Sequence, residues 1–314
     1  MKKKNKQKKG KRKYIVLGAV VIMVLASIST VGALNGWFGG GGSVPQDTTT
    51  LKLMGYWNFD EGSGSIAYDS SGQGHHGTLW SCGDTLTDSD GQTYSTVLIG
   101  SQCWMAENLN VTTTAAAKGD CSGYGYKYCY NDTSSNCDTY GGLYQWATAM
   151  CGESSSNSEP SGVQGICPDG WHMPSHYEWV TLERQVCSDI GNSSCDTTFV
   201  KDTSTTGWFG QDTTTAEGEG SAMAGNEALW TNGDIDNAGA GNNDFGTSGL
   251  DVLPAGYRST VGSYHPLSDY ADLWSSFQYD ASNAWRRGLD YTHTDVRRSY
   301  TTKANGFSVR CVRD

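Results

Sequence analysis

The sequence lacks the short patterns that would assign a metal site or a catalytic mechanism. None of its ten cysteines forms a Cys-x-x-Cys pair, which argues against zinc and iron–sulfur sites. The His-Glu-x-x-His pattern of zinc proteases is also absent. His172 and His176 are separated by Pro174, so the two histidines do not share a helical face. Because no nucleophile–base pair or carboxylate pair stands out either, we do not expect an enzyme.

Proline and charge are scarce as well, with 6 prolines and 18% charged residues in a chain of 314. Glycine is abundant at 41 residues, and there are 17 tyrosines and 11 tryptophans. This aromatic content excludes an intrinsically disordered chain, and the glycine content disfavours a helical bundle. The composition indicates a loop-rich globular protein with many turns.

One long apolar run stands near the amino terminus. Nine lysines or arginines lie within residues 2–13, and the uncharged segment Tyr14–Leu34 follows. Its 21 residues can cross a bilayer as a helix, so we predict a cytoplasmic segment at 1–13 and a transmembrane anchor at 14–34. A cleaved signal peptide is the alternative, although no sharp cleavage site follows. Residues 35–50 are rich in glycine, serine and threonine, which is typical of a flexible linker.

Charge is divided unevenly along the chain. Beyond residue 34 there are 33 acidic and 13 basic residues, a net charge of −20. Such a surface repels nucleic acid and anionic lipid, so we expect neither as a partner of the outward-facing part. We predict that the chain contacts the membrane only through residues 14–34. It would then be a single-pass protein of the cell membrane, with its carboxyl-terminal part extracellular.

An even number of cysteines in a chain that leaves the cytosol indicates disulfide bonds. Two pairs bracket short polar loops that a local bridge could close, and a third joins two well-defined segments across a long loop. The predicted pairs are Cys129–Cys137, Cys187–Cys195 and Cys167–Cys311. Closing a loop as long as the third would stabilise the fold by about 4 kcal/mol or more. The sequence leaves open the pairing of Cys82, Cys103, Cys121 and Cys151.

The clearest local pattern is CPDGWHMPSHYEW, residues 167–179. Ser175 and Glu178 stand three apart ahead of an apolar run, which is the spacing of a capping box. The apolar positions that follow recur at i, i+3 and i+7 and are Trp179, Leu182 and Val186. We therefore predict a helix that begins after Ser175.

Apolar periodicity predicts further elements and a core. A second helix is expected over Tyr140–Met150. Strands are expected in a hairpin at 86–94 and at 97–99, 103–105, 273–277, 284–289 and 306–312. The side chains expected to be buried together are Trp104, Trp146, Trp171, Trp179, Leu182, Trp274 and Phe307.

Residues 188–249 are dominated by turn-forming and polar residues. Within them, calcium-type oxygen ligands are carried by Asp234, Asp236, Asn242 and Asp244. The spacing of an EF-hand is absent, so the favoured interpretation is a surface loop, with calcium as the one cofactor candidate.

Eight motifs fall in an order that resembles the Fibrobacter succinogenes major paralogous domain. They include DSDGQTY, IGSQCWMAENL, CPDGWHMPSHYEW, LWSS and GFSVRCV and cover residues 84–314. The resemblance implies a C-type-lectin-like fold of the α+β class, with two helices, small antiparallel sheets and long disulfide-linked loops after a transmembrane helix. The Glu-Pro-Asn and Gln-Pro-Asp motifs of calcium-dependent lectins are absent. The cysteine pair of formylglycine-generating enzymes has no counterpart.

Residues 51–80 resemble the opening of a laminin-G-like, concanavalin-A-type domain. A segment this short cannot bury the core of a sandwich by itself. We interpret it as a fragment and do not transfer sugar binding from that family.

A ligand surface is expected between Tyr264 and Tyr300. Seven of the 13 basic residues beyond residue 34 lie in 286–313, and tyrosine, tryptophan and arginine dominate binding hot spots. Receptor domains of the implied fold also place their variable ligand residues in this segment. The candidates are Tyr279, Trp285, Arg286, Arg287 and Tyr291. The alternative is that Trp285 belongs to a strand core and that the arginines pair with acids.

These features together predict a membrane-anchored, extracellular recognition or adhesion module that binds glycan or protein. A structural cell-envelope protein is the alternative. An enzyme of the formylglycine-generating type is the least favoured.

Overall fold

The computed structural model describes residues 66–74, 76–78, 80–211, 218–235 and 244–314. The chain divides into two compact units, Met1–Ser81 and Cys82–Asp314. In the first unit, β1 (Ile66–Ala67) and β2 (Gly77–Thr78) pair as antiparallel strands. The predicted cytoplasmic segment, anchor and linker lie outside the described residues, as does much of the laminin-G-like stretch. None of the helices within the described ranges is long and apolar enough to cross a bilayer.

The second unit consists mainly of short antiparallel strands. The strands are β3 (Leu86–Thr87), β4 (Thr93–Tyr94), β5 (Thr96–Ile99), β6 (Gln102–Met105), β7 (Lys127–Tyr128), β8 (Leu143–Gln145), β9 (Trp171–His172), β10 (Gly207–Phe209), β11 (Tyr257–Arg258), β12 (Tyr264–His265), β13 (Tyr270–Gln278), β14 (Asn283–Asp290), β15 (Val296–Thr302), β16 (Gly306–Phe307) and β17 (Val312–Arg313). The helices are α1 (Ser134–Tyr140), α2 (Trp146–Met150), α3 (His176–Asp189), α4 (Cys195–Thr198) and α5 (Glu219–Met223).

Three sheets and a hairpin organise these strands. One four-stranded sheet has the order β10-β15-β14-β13, and another has the order β5-β6-β17-β9. A five-stranded sheet has the order β12-β11-β16-β8-β7, and β3 pairs with β4. The last three strands of the chain, β15, β16 and β17, therefore each belong to a different sheet.

The expected α+β, C-type-lectin-like class with two helices is wrong for the part of the chain that the structure describes. Strands dominate, and α3, with 14 residues, is the one long helix among the described elements. The predicted helix over Tyr140–Met150 is instead β8 followed by the five-residue α2. Tyr144 and Gln145 pair with Phe307 and Gly306 of β16, so pairing with a distant strand overrides a local apolar spacing.

The helix predicted after Ser175 is confirmed. The Ser175 hydroxyl accepts a hydrogen bond from the Glu178 backbone N–H at 3.0 Å, and the Glu178 carboxylate accepts one from the Ser175 N–H at 2.8 Å. This is the capping box that the spacing predicted. All seven residues of the predicted core are buried, and Trp104, Trp179 and Leu182 share the main cluster.

Five disulfides cross-link the second unit. The three predicted pairs are confirmed, and Cys167–Cys311 joins alpha carbons 5.9 Å apart across a sequence separation of 144. The two pairs that the sequence left open are Cys82–Cys103 and Cys121–Cys151. All ten cysteines are thus bridged.

The sheet β10-β15-β14-β13 has two chemically different faces. Leu273, Leu289 and Val296 belong to the buried core shared with Trp179 of α3. Since successive side chains of a strand point to opposite faces, Asp272, Gly288 and Arg297 lie on the face away from α3. The candidate ligand-binding pocket lies on that second face.

Candidate ligand-binding pocket

A concave pocket of about 310 Å³ lies on the sheet face that is turned away from α3. We call it the Arg–Trp pocket. Its lining residues include Trp208, Tyr257, Tyr270, Asp272, Arg286, Asp290 and Arg297. Its volume is at the lower end of the range for small-molecule sites, about 300–1,000 Å³.

A row of residues across four strands builds the floor of the pocket. Asp272 of β13 is paired with Gly288 of β14, Gly288 with Arg297 of β15, and Arg297 with Trp208 of β10. Paired residues of antiparallel strands lie side by side on one face. The strand register therefore brings a carboxylate, a bare backbone position, a guanidinium and an indole together.

Gly288 keeps this floor open. A Cβ atom at this position would lie 2.5 Å from Nη1 of Arg286 and 2.9 Å from Oδ1 of Asp272. Both distances are shorter than ordinary carbon contacts, so a larger residue would push into the two charged groups. The missing side chain is what makes room for the charged pair at the base of the pocket.

Arg286 and Asp272 form an ion pair in which each side chain is largely buried. The guanidinium carbon of Arg286 also lies 5.7 Å from the ring centre of Phe307, within range of a cation–π contact. Burial, together with the positive charge of Arg297, lowers the pKa of Arg286 to about 9. Arg286 therefore keeps its charge at neutral pH.

Aromatic rings form the walls. Tyr257 is stacked on His265 with ring centres 4.0 Å apart, and it meets Phe307 edge-on at 5.4 Å. Trp208 is stacked on His293 with ring centres 3.8 Å apart. Burial raises the pKa of Tyr257, against the opposing effect of Arg286, and burial also raises that of Tyr270. Both hydroxyls are therefore available as hydrogen-bond donors at neutral pH.

A family comparison covers this site completely. The family model described as Fibrobacter succinogenes major domain matches residues 97–313, more than half of the chain. The chain belongs to the Fibrobacter succinogenes major domain family. No curated protein and no solved structure matches it. Because the match runs from β5 to β17, every strand of the Arg–Trp pocket lies inside the Fibrobacter succinogenes major domain.

The five ligand residues predicted from the sequence do not come together in this domain. Arg286 lines the Arg–Trp pocket. Trp285 and Arg287 are fully buried on the opposite face of β14, so neither offers a surface to a ligand. Tyr279 is 46% exposed but is stacked on Tyr300 at 3.7 Å. Tyr291 is partly buried against the main core.

Arg287 has a structural role in place of the predicted one. Its guanidinium donates to Glu183 of α3 and lies 3.2 Å from Nδ1 of His176. Arg298 donates to the other oxygen of Glu183 at 3.0 Å. The network fastens α3 to β14 and β15, which agrees with the alternative that the arginines pair with acids.

The calcium candidates are only partly described. Asp236 and Asn242 lie outside the described residues, and Asp234 and Asp244 flank that gap. Within the described ranges, no group of three or more histidine, cysteine, aspartate or glutamate side chains is arranged to hold a metal ion.

Sequence reasoning missed Trp208, Tyr257, Asp272, Gly288 and Arg297. One signal was available. The segment 284–289 was recognised as a strand, and its alternation already separates Arg286 from Trp285 and Arg287. The other residues come from four further strands, and no local pattern indicates which strands become neighbours.

Proposed function

We propose that this protein is an extracellular recognition module that binds a glycan in the Arg–Trp pocket. The observation that carries the proposal is the convergence of aromatic rings and charged hydrogen-bonding groups on one open, glycine-floored cavity. A sugar presents apolar C–H faces and a rim of hydroxyl groups. Aromatic rings pack against the apolar faces of a sugar. Guanidinium, carboxylate and tyrosine hydroxyl groups form hydrogen bonds with its hydroxyl groups.

The pocket favours a glycan over a protein partner. Protein interfaces bury about 800 Å² on each partner, usually across a broad surface. The site described is instead a cavity of about 310 Å³, which suits one or two sugar units or a chain end.

The charged groups of the pocket support binding without turnover. Asp272 is held by Arg286. The Oδ1 atom of Asp290 accepts hydrogen bonds from the backbone N–H of Thr292 at 3.0 Å and from its hydroxyl at 2.7 Å. Carboxylates already engaged in this way are poorly suited to act as a general acid or base.

The cellular location belongs to the same proposal. Five disulfides are typical of proteins that work in an oxidising, extracellular environment. We propose that residues 14–34 hold the chain in the membrane with the family domain outside. Mass spectrometry of the membrane fraction tests this, because a mature amino terminus after residue 30 would replace the anchor with a signal peptide.

A glycan array probed with the full-length chain in mild detergent tests the binding function. We expect a defined set of glycans to bind, and Trp208→Ala to weaken that binding by about tenfold or more, since aromatic contacts dominate many binding sites. Arg184→Ala is the control, because Arg184 lies on α3, on the other side of the sheet. Absence of binding to any glycan, or equal binding by Trp208→Ala, would overturn the proposal. The structural cell-envelope role would then be the better account.

A further inference from the structure

We infer that the Arg–Trp pocket selects a sugar that carries a carboxylate, such as a uronic acid. This inference rests on the proposed glycan binding and adds the chemical class of the ligand. It is carried by one exposed guanidinium, that of Arg297, which lies beside an indole and has no carboxylate within ion-pair distance among the described residues.

Arg297 is that guanidinium. It lies on the exposed side of β15, paired across the strands with Trp208 and with Gly288. Its guanidinium carbon lies 5.6 Å from the ring centre of Trp208. Among the described residues, no carboxylate lies within ion-pair distance of Arg297, whereas Arg286, Arg287 and Arg298 each have such a partner.

The two carboxylates of the pocket make their contacts with residues other than Arg297. Asp272 is paired with Arg286 at the floor. One oxygen of Asp290 accepts two hydrogen bonds from Thr292 and is held in the turn that ends β14. Hydrogen bonds from the neutral Thr292 do not remove the negative charge of Asp290. Neither carboxylate lies within ion-pair distance of Arg297, however, so the donors of the Arg297 guanidinium remain available for a ligand carboxylate.

Arg286 adds to this preference from below. Arg286 and Arg297 occupy neighbouring strands and the same face, and the charge of Arg297 is one of the causes that lower the pKa of Arg286. A ligand carboxylate beside Arg297 would relieve this repulsion. A planar carboxylate also matches the fork of donors on a guanidinium, which gives short, charge-assisted hydrogen bonds.

The aromatic walls exclude a simple anion as the preferred ligand. A carboxylate at Arg297 has Trp208 beside it, with Tyr257 and Tyr270 among the other lining residues. A free inorganic anion would make no apolar contact with these rings, whereas a sugar ring attached to the carboxylate would pack against them. The combination therefore points to an acidic sugar.

Titration calorimetry of the full-length chain in detergent tests the inference with three matched pairs of oligosaccharides. These are tetramers of galacturonic, glucuronic and mannuronic acid, each compared with the neutral tetramer of galactose, glucose or mannose. At least one acidic member should bind about tenfold or more tightly than its neutral counterpart, as a charge-assisted contact implies. Methyl esterification of that member should remove the advantage.

Variants of Arg297 complete the test. Arg297→Ala should weaken binding of the acidic tetramer by about tenfold to a hundredfold and leave neutral sugars nearly unchanged. Arg297→Lys should give an intermediate loss, because it keeps the charge without the planar fork. Arg184→Ala again serves as the control.

Two results would overturn the inference. One is that no acidic tetramer binds more tightly than its neutral counterpart, and the other is that Arg297→Ala leaves the acidic preference intact. If glycans still bind on the array in a Trp208-dependent manner, the proposed function survives either result. If no glycan binds at all, both fail.

Discussion

Gly288 is the residue on which the shape of the pocket depends, because any Cβ at this position would meet Arg286 and Asp272. We expect Gly288→Ala to displace the Arg286 guanidinium and to lower glycan affinity by about tenfold, the equivalent of one charged hydrogen bond. Gly123→Ala is the control, since nothing lies within 4 Å of a Cβ added there. Array binding and the thermal midpoint are the measurements. A pocket that is not the binding site would give unchanged binding in both variants.

His172 makes stability depend on pH. Its Nε2 lies 2.6 Å from Glu178 Oε1, and its Nδ1 lies 2.5 Å from Asp314 Oδ1. Burial alone lowers the pKa of His172, but hydrogen bonds and charges from the two carboxylates outweigh burial and raise it above 6.5. With a raised pKa in the folded state, the stabilisation is fully present below the unfolded pKa of about 6.5 and is lost as the pH rises through the folded value.

Urea denaturation of His172→Gln checks this sign. The loss in the free energy of unfolding, relative to the unsubstituted chain, should be larger at about pH 5.5 than at about pH 9. A loss that is equal at both values would show that the charged form of His172 does not stabilise the fold.

At the scale of residues, the sequence predicted those contacts that form between near neighbours along the chain. The capping box of Ser175 and Glu178 depends on residues three apart, and the structure has it. The ligand set mixed Arg286 with Trp285 and Arg287, because composition rather than strand alternation selected it. Only one of the five therefore faces the pocket.

At the scale of elements, α3 is fastened to the sheet by one buried carboxylate. Glu183 accepts hydrogen bonds from Arg287 and Arg298, and all three side chains are about 1% exposed. Glu183→Gln would leave two buried guanidiniums without a negative partner and should destabilise the fold by about 3–5 kcal/mol. Glu159→Gln is the control, because Glu159 pairs with Lys201 at the surface, where an ion pair contributes about 0–1 kcal/mol. Similar unfolding free energies for the two variants would contradict this role.

Elements with a strong local signal were predictable, and elements defined by a distant partner were not. The strands β5, β6, β13 and β14 and the helix α3 follow apolar patterns within the segment. The strand β8 follows no such pattern, because it exists through its pairing with β7 and β16. The strands β10 and β15, which supply Trp208 and Arg297 to the pocket, were not predicted for the same reason.

At the scale of the molecule, disulfides of different span should contribute unequally. The Cys167–Cys311 disulfide joins residues that are 144 positions apart in the sequence, and the Cys129–Cys137 disulfide joins residues that are 8 positions apart. The chain-entropy model assigns about 5 kcal/mol to the first and about 2.5 kcal/mol to the second. Replacing each pair by alanines and measuring urea denaturation should reproduce that order. Equal losses would mean that the long bridge does not act through the unfolded chain.

The fold class itself could not be derived from local pattern. The chain's last 20 residues contribute to three sheets, so the arrangement depends on pairings between segments more than 100 residues apart, as in β16 with β8 and β17 with β9. The family motifs identified the right domain, and the cysteine positions predicted three of its five disulfides. The short strands that dominate it carry too few residues to show a period.

Hydrogen-exchange mass spectrometry of the full-length chain, with and without a glycan that binds on the array, tests the binding site most directly. Amides in β10, β11, β14 and β15 should exchange more slowly when the glycan is bound, because these strands carry Trp208, Tyr257, Arg286 and Arg297. Protection confined to another surface, such as the exposed tyrosines Tyr124 and Tyr126 or the stacked pair Tyr279 and Tyr300, would contradict the assignment of the Arg–Trp pocket as the glycan site.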